Sequence, residues 1–206
     1  MGIIGIVDYG VGNLRSVAGA VEKTGFNPIV SSDPKVLVKA DKLILPGVGA
    51  FKDGMKAIVE SGLEEFLNEA VQVNKTPILG ICLGAQLFTK GSEEFGWTDG
   101  LGWIDSTVKS LRSYDSQERV PHVGWNNIRS STESTLFREV PEEALFYFVH
   151  SFCIVQSAWA HQTASCEYGF EFVAALEKNN IFAVQFHPEK SQRYGLLVLR
   201  NFLEFR

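Results

Sequence analysis

The sequence predicts an α/β fold, a doubly wound and mostly parallel sheet to which the second half of the chain adds antiparallel strands. Through the first half, short apolar runs alternate with helix-length amphipathic segments, the pattern of parallel strands joined by crossover helices. From about residue 101 the texture changes to strand-like pieces such as "LFYFVHSFCIV" and "FEFVAALEKNNIFAVQF". No repeat, low-complexity tract or linker divides the 206 residues, so a single domain, 1–206, is expected. A chain of that length buries roughly 70% of the surface it exposes when unfolded.

The first strand is Ile3–Val7. The following "NLRSVAGAVEKTG" sets Leu14, Val17, Ala18 and Val21 on one helical face, with Asn13 as cap and Gly25 as stop. Further strands are predicted at Pro28–Val30, Lys42–Leu45 and Pro77–Ile81, with helices near 51–60 and 63–73 between the last two. In the second half Asn179-Asn180 is suited to turning a hairpin, and "YGLLVLRNFLEF" reads as a final helix packed on the sheet.

Composition excludes several functions. A net charge of −5 with scattered Lys and Arg argues against a nucleic-acid partner. The opening MGIIGIVDYG has no basic leader and is broken by Asp8, so it reads as a buried strand, neither a signal peptide nor a membrane span. Three cysteines at 82, 153 and 166, with no CxxC spacing, fit neither a disulfide framework nor a zinc site. A reduced, cytoplasmic protein without metal or cofactor is expected. "GVGN", residues 10–13, follows the first strand as a dinucleotide fingerprint would, but Arg15 stands where the third glycine belongs, which excludes a nucleotide site.

The chemistry centres on "ILGICLGAQLF", residues 78–88. Gly80 and Gly84 leave room for a tight turn between the strand Pro77–Ile81 and a helix starting near Gly84. Cys82 is then presented at the carboxyl end of the sheet rather than buried. A helix N-terminus behind it favours thiolate, and its free N–H groups suit an oxyanion. The other reading makes Cys82 a small apolar residue at a buried strand end. Cys153, inside a strand-like run, and Cys166, without a glycine frame, read as structural.

A thiolate nucleophile needs a base, and the base an orienter. His187 follows the strand "IFAVQF" and opens "HPEKS" at the active edge of the sheet. Glu189, two residues on, points to the same side in an extended chain and orients the imidazole. His150 is a pocket candidate, whereas His122 and His161 read as ordinary surface or loop histidines. In "LPGVGAF", residues 45–51, a flexible Gly47-Val48-Gly49 loop either offers a backbone N–H opposite Leu83 or is an ordinary tight turn.

Together "GICLGAQ" (80–86) and "HPE" (187–189) closely resemble the class I, triad-type glutamine amidotransferases, over nearly the whole chain. The resemblance implies a flavodoxin-like α/β domain. "DYGVGN", "LPGVGAF", "HVGWNN", "YFVHSF" and "QFHPEKSQ" are similar to the glutaminase subunits of imidazole glycerol phosphate synthase, the histidine-biosynthesis enzyme. What this implies is that Cys82 attacks the side-chain amide of glutamine, His187 relays the proton to departing ammonia, Glu189 orients His187, and water cleaves the thioester. The backbone N–H of Leu83 and, after a turn in the PGVG strand, that of Gly49 would hold the oxyanion. Gly47, Gln86, Glu94, Tyr147, His150 and Ser151 would surround the bound glutamine, with Glu94 suiting its ammonium.

The resemblance also implies a partner. No stretch of the chain resembles a synthase domain, which places the use of ammonia on another polypeptide, a (β/α)8-barrel cyclase paired one to one. Trp125, Asn126 and Lys190 would face it, and the isolated chain would be poorly active until it binds. Still open at this level are a paralogue serving another synthase in surface-sugar synthesis, a stand-alone γ-glutamyl thiol hydrolase, and a catalytically dead binding module.

Overall fold

The computed structural model describes residues 2–114, 117–155 and 162–205, with backbone alone at 162 and 163. β1 (Ile3–Val7) is buried from Ile4 onward, as a parallel strand covered on both faces must be. α1 (Leu14–Lys23) starts where Asn13 accepts the Ser16 N–H through its side chain at 3.4 Å, and it turns Val17, Ala20 and Val21 inward. β2 (Asn27–Ser31) lies at the sheet edge and runs one residue beyond the predicted strand at each end. The short α2 (Pro34–Leu37), capped by Asp33, was not predicted. β3 is Lys42–Gly47, and its pairing continues through Pro46 and Gly47.

α3 (Phe51–Glu60) matches its predicted bounds. The helix expected over 63–73 is instead α4 (Leu63–Asn68) followed by a π-helical turn, Glu69–Val73, closed by Asn74 N–H on the Glu69 carbonyl at 2.9 Å. β4 (Ile78–Cys82) is buried throughout and leads directly into α5 (Leu83–Leu87).

The second half supplies β5 (Thr89–Ser92), β6 (Thr98–Asp99), β7 (Ile104–Ser110), β8 (His122–Asn127), β9 (Arg129–Ser130), β10 (Leu145–His150) and β11 (Phe152–Ile154). There follow β12 (Gln162–Glu167), β13 (Glu171–Lys178), β14 (Ile181–Val184), a 3₁₀ turn (Pro188–Lys190) and α6 (Gln192–Glu204). The apolar run 145–155 is two strands, because the chain breaks at Ser151: β10 pairs antiparallel with β8, while β11 pairs with β7 in another sheet. Asn179, at φ 55°, and Asn180 do turn the β13–β14 hairpin.

The main sheet has the order β2-β1-β3-β4-β14-β13-β12-β9. Its first five strands are parallel in the flavodoxin-like order, and the last three are antiparallel additions. Alternation along β1, β3 and β4 divides the core. Ile4, Ile6, Ile44 and Leu79 pack with α1 and α6 on one face, and Val7, Leu43, Leu45 and Ile78 with α3, α4 and α5 on the other. No helix among the described residues is long and apolar enough to cross a membrane.

This topology collects the carboxyl ends of β3, β4 and β14 at one edge, where Gly47 is the register partner of Cys82 and Val184 that of Ile81. Two glycines permit the approach of α5 to the strands. A Cβ on Gly84 would lie 1.8 Å from the Leu45 carbonyl oxygen, and one on Gly80 would lie 2.7 Å from the Ala85 backbone. Gly84→Ala is therefore expected to cost about 3 kcal/mol or more of stability, because the obstacle is backbone. Gly19→Ala, in α1 with nothing within 4 Å of the new Cβ, is expected to be neutral or stabilising by up to about 1 kcal/mol. Urea unfolding of the two variants measures both.

Candidate active site

Cys82 ends β4 at φ 54°, ψ −109°, a conformation that L residues rarely adopt, and the reversal aims its side chain off the sheet edge. By area it is more enclosed than expected, at 7% exposed, yet it lines a cavity of 480 Å³. Access is thus through the cavity alone. The first N–H groups of α5, beginning at Leu83, have no acceptor within the helix. Burial pushes the thiols of Cys153 and Cys166 up to about 12.

β14 places His187 three residues beyond its end. Its backbone is extended (φ −98°, ψ 97°), and its N–H donates to the Tyr147 carbonyl at 2.9 Å. Glu189 reaches it by a route other than extended chain, since Pro188–Lys190 coils into a 3₁₀ turn that folds the carboxylate back. The Ser191 hydroxyl pins this turn, donating to the His187 carbonyl at 2.6 Å and accepting the Tyr147 N–H at 2.9 Å.

His187 Nδ1 and Glu189 Oε1 lie 2.8 Å apart, with side chains 3% and 1% exposed. Because the carboxylate accepts, Nδ1 carries the proton and Nε2 is left to face Cys82. Nε2 has no hydrogen bond of good geometry among the described residues, yet the Cys82 thiol lies close enough to act on it both as a hydrogen-bond partner and as a charge. Burial disfavours charge on His187, but interactions with Cys82 and Glu189 outweigh this and raise the imidazole to about 9.

The same cavity is lined by Gly49, Leu83, Gln86, Glu94, His150, Ser151 and Lys190. Glu94 Oε2 accepts the Phe51 N–H at 2.8 Å. Gly47 stands behind the lining, against the Tyr9 hydroxyl, which is buried and has no hydrogen-bond partner among the described residues. Burial, then the nearby Cys82 charge, raises that hydroxyl further above its ordinary range. Tyr147 is not among the lining residues; its ring meets Trp125 edge-on at 5.7 Å and lies 5.7 Å from the Lys190 ammonium. Trp125 is 40% exposed. Asn126, its neighbour on β8, turns inward by strand alternation and binds His122.

His122 corrects its reading as a surface or loop residue. It is 1% exposed, stacked between Phe148 and Tyr168 at 4.8 and 3.9 Å. His161 lies outside the described residues. His122 Nδ1 is 3.0 Å from His150 Nε2, and His150 Nδ1 is 2.8 Å from the Phe152 carbonyl. A carbonyl only accepts, so every proton in this chain is directed: Asn126 to His122 (3.1 Å), His122 to His150, His150 to Phe152. Both rings must be neutral for this. Burial lowers His122 to about 4; for His150, burial and the charges of His122 and His187 outweigh the Phe152 bond and lower it to about 3.

Gln185 stands two residues before His187, in the bend that follows β14. Its Nε2 donates to Cys82 Sγ at 3.7 Å, and its Oε1 accepts from Gln86 Nε2 at 3.0 Å. Among the described residues no group of three or more His, Cys, Asp or Glu side chains is arranged to hold a metal ion.

The chain matches the family model for glutamine amidotransferase class-I over residues 5–204. It is 47% identical over 201 residues to imidazole glycerol phosphate synthase subunit HisH 1 of Campylobacter jejuni strain RM1221, covering 98% of this chain and 99% of that one. With imidazole glycerol phosphate synthase subunit HisH of Geobacter sulfurreducens it shares 44% over 207 residues, covering 98% and 99%. Among solved structures, the crystal structure of a glutamine amidotransferase superposes with a TM-score of 0.76 at 19% identity, covering 98% of each chain. PurLQS from Thermotoga maritima gives 0.74 at 20%, with the same coverage. At these identities the structures speak for the fold.

Replacing Glu189 by Gln removes a carboxylate that helps raise His187, so the imidazole is expected to titrate well below 9 in the variant, as read by nitrogen NMR. A histidine raised from 6.5 to about 9 adds stability that is complete below pH 6.5 and lost as the pH climbs through about 9. The variant should lose less stability across that window. Identical His187 titration in both proteins would contradict the assigned cause.

Proposed function

Because the chain belongs to the class-I glutamine amidotransferase family, we propose that it is the glutaminase subunit of an imidazole glycerol phosphate synthase, acting as one amidotransferase domain in histidine biosynthesis. The observation that carries this reading is the convergence of Cys82, His187 and the Glu189 carboxylate behind it on one cavity. Similarity to HisH subunits along nearly the full chain supports the choice of synthase.

In this reading the Cys82 thiol gives its proton to His187 Nε2 and the sulfur attacks the γ-amide carbon of glutamine. N–H groups of Leu83 and Gly49 receive the oxyanion. His187 passes the proton to the amide nitrogen, the C–N bond breaks, ammonia leaves and a γ-glutamyl thioester remains. Water activated by His187 then releases glutamate. Glu94 has one carboxylate oxygen held by Phe51, which fixes the group for the substrate's ammonium. Ser151 and His150 line the remaining wall.

The ammonia is used by a separate synthase subunit, which we take to be a (β/α)8-barrel cyclase in a one-to-one pair. Its docking surface includes the exposed Trp125, the Tyr147 ring beside it and Lys190, which reaches the cavity rim. The inward-turned Asn126 supports that surface from beneath.

In the assembled enzyme, Cys82→Ala should lower glutamine-dependent product formation by about 10³-fold or more and leave ammonium-dependent formation intact. Survival of both activities means that another group is the nucleophile, and loss of both means that Cys82 is structural. The isolated chain is expected to hydrolyse glutamine far more slowly than the pair; equal rates would favour the stand-alone hydrolase.

A further inference from the structure

We propose that Gln185 is a further catalytic residue, whose side-chain N–H holds the Cys82 sulfur and stabilises the negative charge that sulfur carries as it attacks and again as it leaves. The proposal rests on the reading of Cys82 as nucleophile. Gln185 is 1% exposed and its Nε2 lies 3.7 Å from Sγ. Its backbone N–H is held by the Ala174 carbonyl of β13 at 2.9 Å. Gln185 and His187, two residues apart at the end of β14, thus address the sulfur from one segment.

Which end of the amide meets the sulfur follows from the neighbours. The Phe152 carbonyl, an obligate acceptor, binds His150 Nδ1 at 2.8 Å and Gln86 Nε2 at 2.9 Å. Gln86 must therefore point its nitrogen that way, and the same nitrogen donates to Gln185 Oε1 at 3.0 Å. With its oxygen so occupied, Gln185 can present only N–H to Cys82. The amide nitrogen of Gln86 is engaged by these two acceptors, so Gln86 orients Gln185 although it also lines the cavity.

A thiol sulfur is a weak acceptor and an anionic sulfur a strong one, so this hydrogen bond strengthens as charge develops and lowers the barrier rather than tightening substrate binding. Gln185 keeps both its protons throughout. The thiol proton still passes through His187 to the leaving nitrogen, the S–C bond forms and the C–N bond breaks.

The test uses Gln185→Leu, Gln185→Glu and Gln86→Met in the complex with the synthase subunit, with KM, kcat and the rate of Cys82 alkylation by iodoacetamide at neutral pH as readouts. Gln185→Leu should lower kcat and slow alkylation about ten- to hundredfold. KM for glutamine should stay within about twofold, because Gln185 is not among the cavity-lining residues. Gln185→Glu, which sets a carboxylate against the sulfur, should be slower still, and Gln86→Met should fall between wild type and Gln185→Leu. Unchanged kcat and alkylation in folded variants, or a raised KM with kcat intact, would overturn the proposal. If Gln185→Leu does not fold, Gln86→Met decides alone: unchanged alkylation there refutes it. Should alkylation of wild-type Cys82 leave glutamine hydrolysis intact, the nucleophile reading itself fails, a result distinguishable from the others.

Discussion

The strained backbone of Cys82 sets the geometry of the whole sheet edge. A non-glycine residue at φ 54°, ψ −109° carries strain of roughly 1–3 kcal/mol, and it persists only where the surroundings leave no alternative. Here the surroundings are the buried register of β3, β4 and β14 and an α5 that sits within backbone contact of Leu45. An ordinary conformation at this position would carry the chain away from Gln185 and His187, which arrive at the sulfur from the neighbouring strand.

Around that sulfur the protein arranges charge in two ways. His187 is buried yet raised towards the charged form, because a carboxylate holds one nitrogen and the thiol lies at the other. The second arrangement is neutral and directional, running from Asn126 through His122 and His150 to the Phe152 carbonyl, where it meets Gln86 and Gln185. Such a chain works only while both histidines stay uncharged, and burial ensures it. The exposed Trp125 sits on the strand where this chain begins, so the surface proposed for the partner and the Cys82 sulfur share one hydrogen-bonded interior.

Much of this was legible in the sequence where local chemistry decides the outcome. The Gly80–Gly84 frame marked the turn, the amphipathic pattern located α3, and Asn179-Asn180 marked the hairpin. Less legible was whatever tertiary packing decides. The run 145–155 is continuously strand-like, but Ser151 divides it between two sheets. His122 lies in a polar motif, and only the rings of Phe148 and Tyr168 make it a core residue. The rule of two in extended chain pairs Glu189 with His187, whereas in the structure a 3₁₀ turn brings it there. Gln185 reaches the sulfur from a bend just past β14, which no alternation rule picks out. Tyr147 belongs to a motif that resembles glutamine-binding positions, yet its ring faces Trp125 and Lys190 while its backbone anchors the His187 turn.

Cys82 and His187 are proposed to act as one nucleophile and base, and quenching the assembled enzyme in acid during turnover with glutamine, followed by mass-spectrometric mapping of covalent adducts, puts this to the test. A single γ-glutamyl group is expected on the peptide containing Cys82, absent when His187 is replaced by Ala. A glutamyl group on Cys153 or Cys166, or undiminished accumulation on Cys82 without His187, would contradict it.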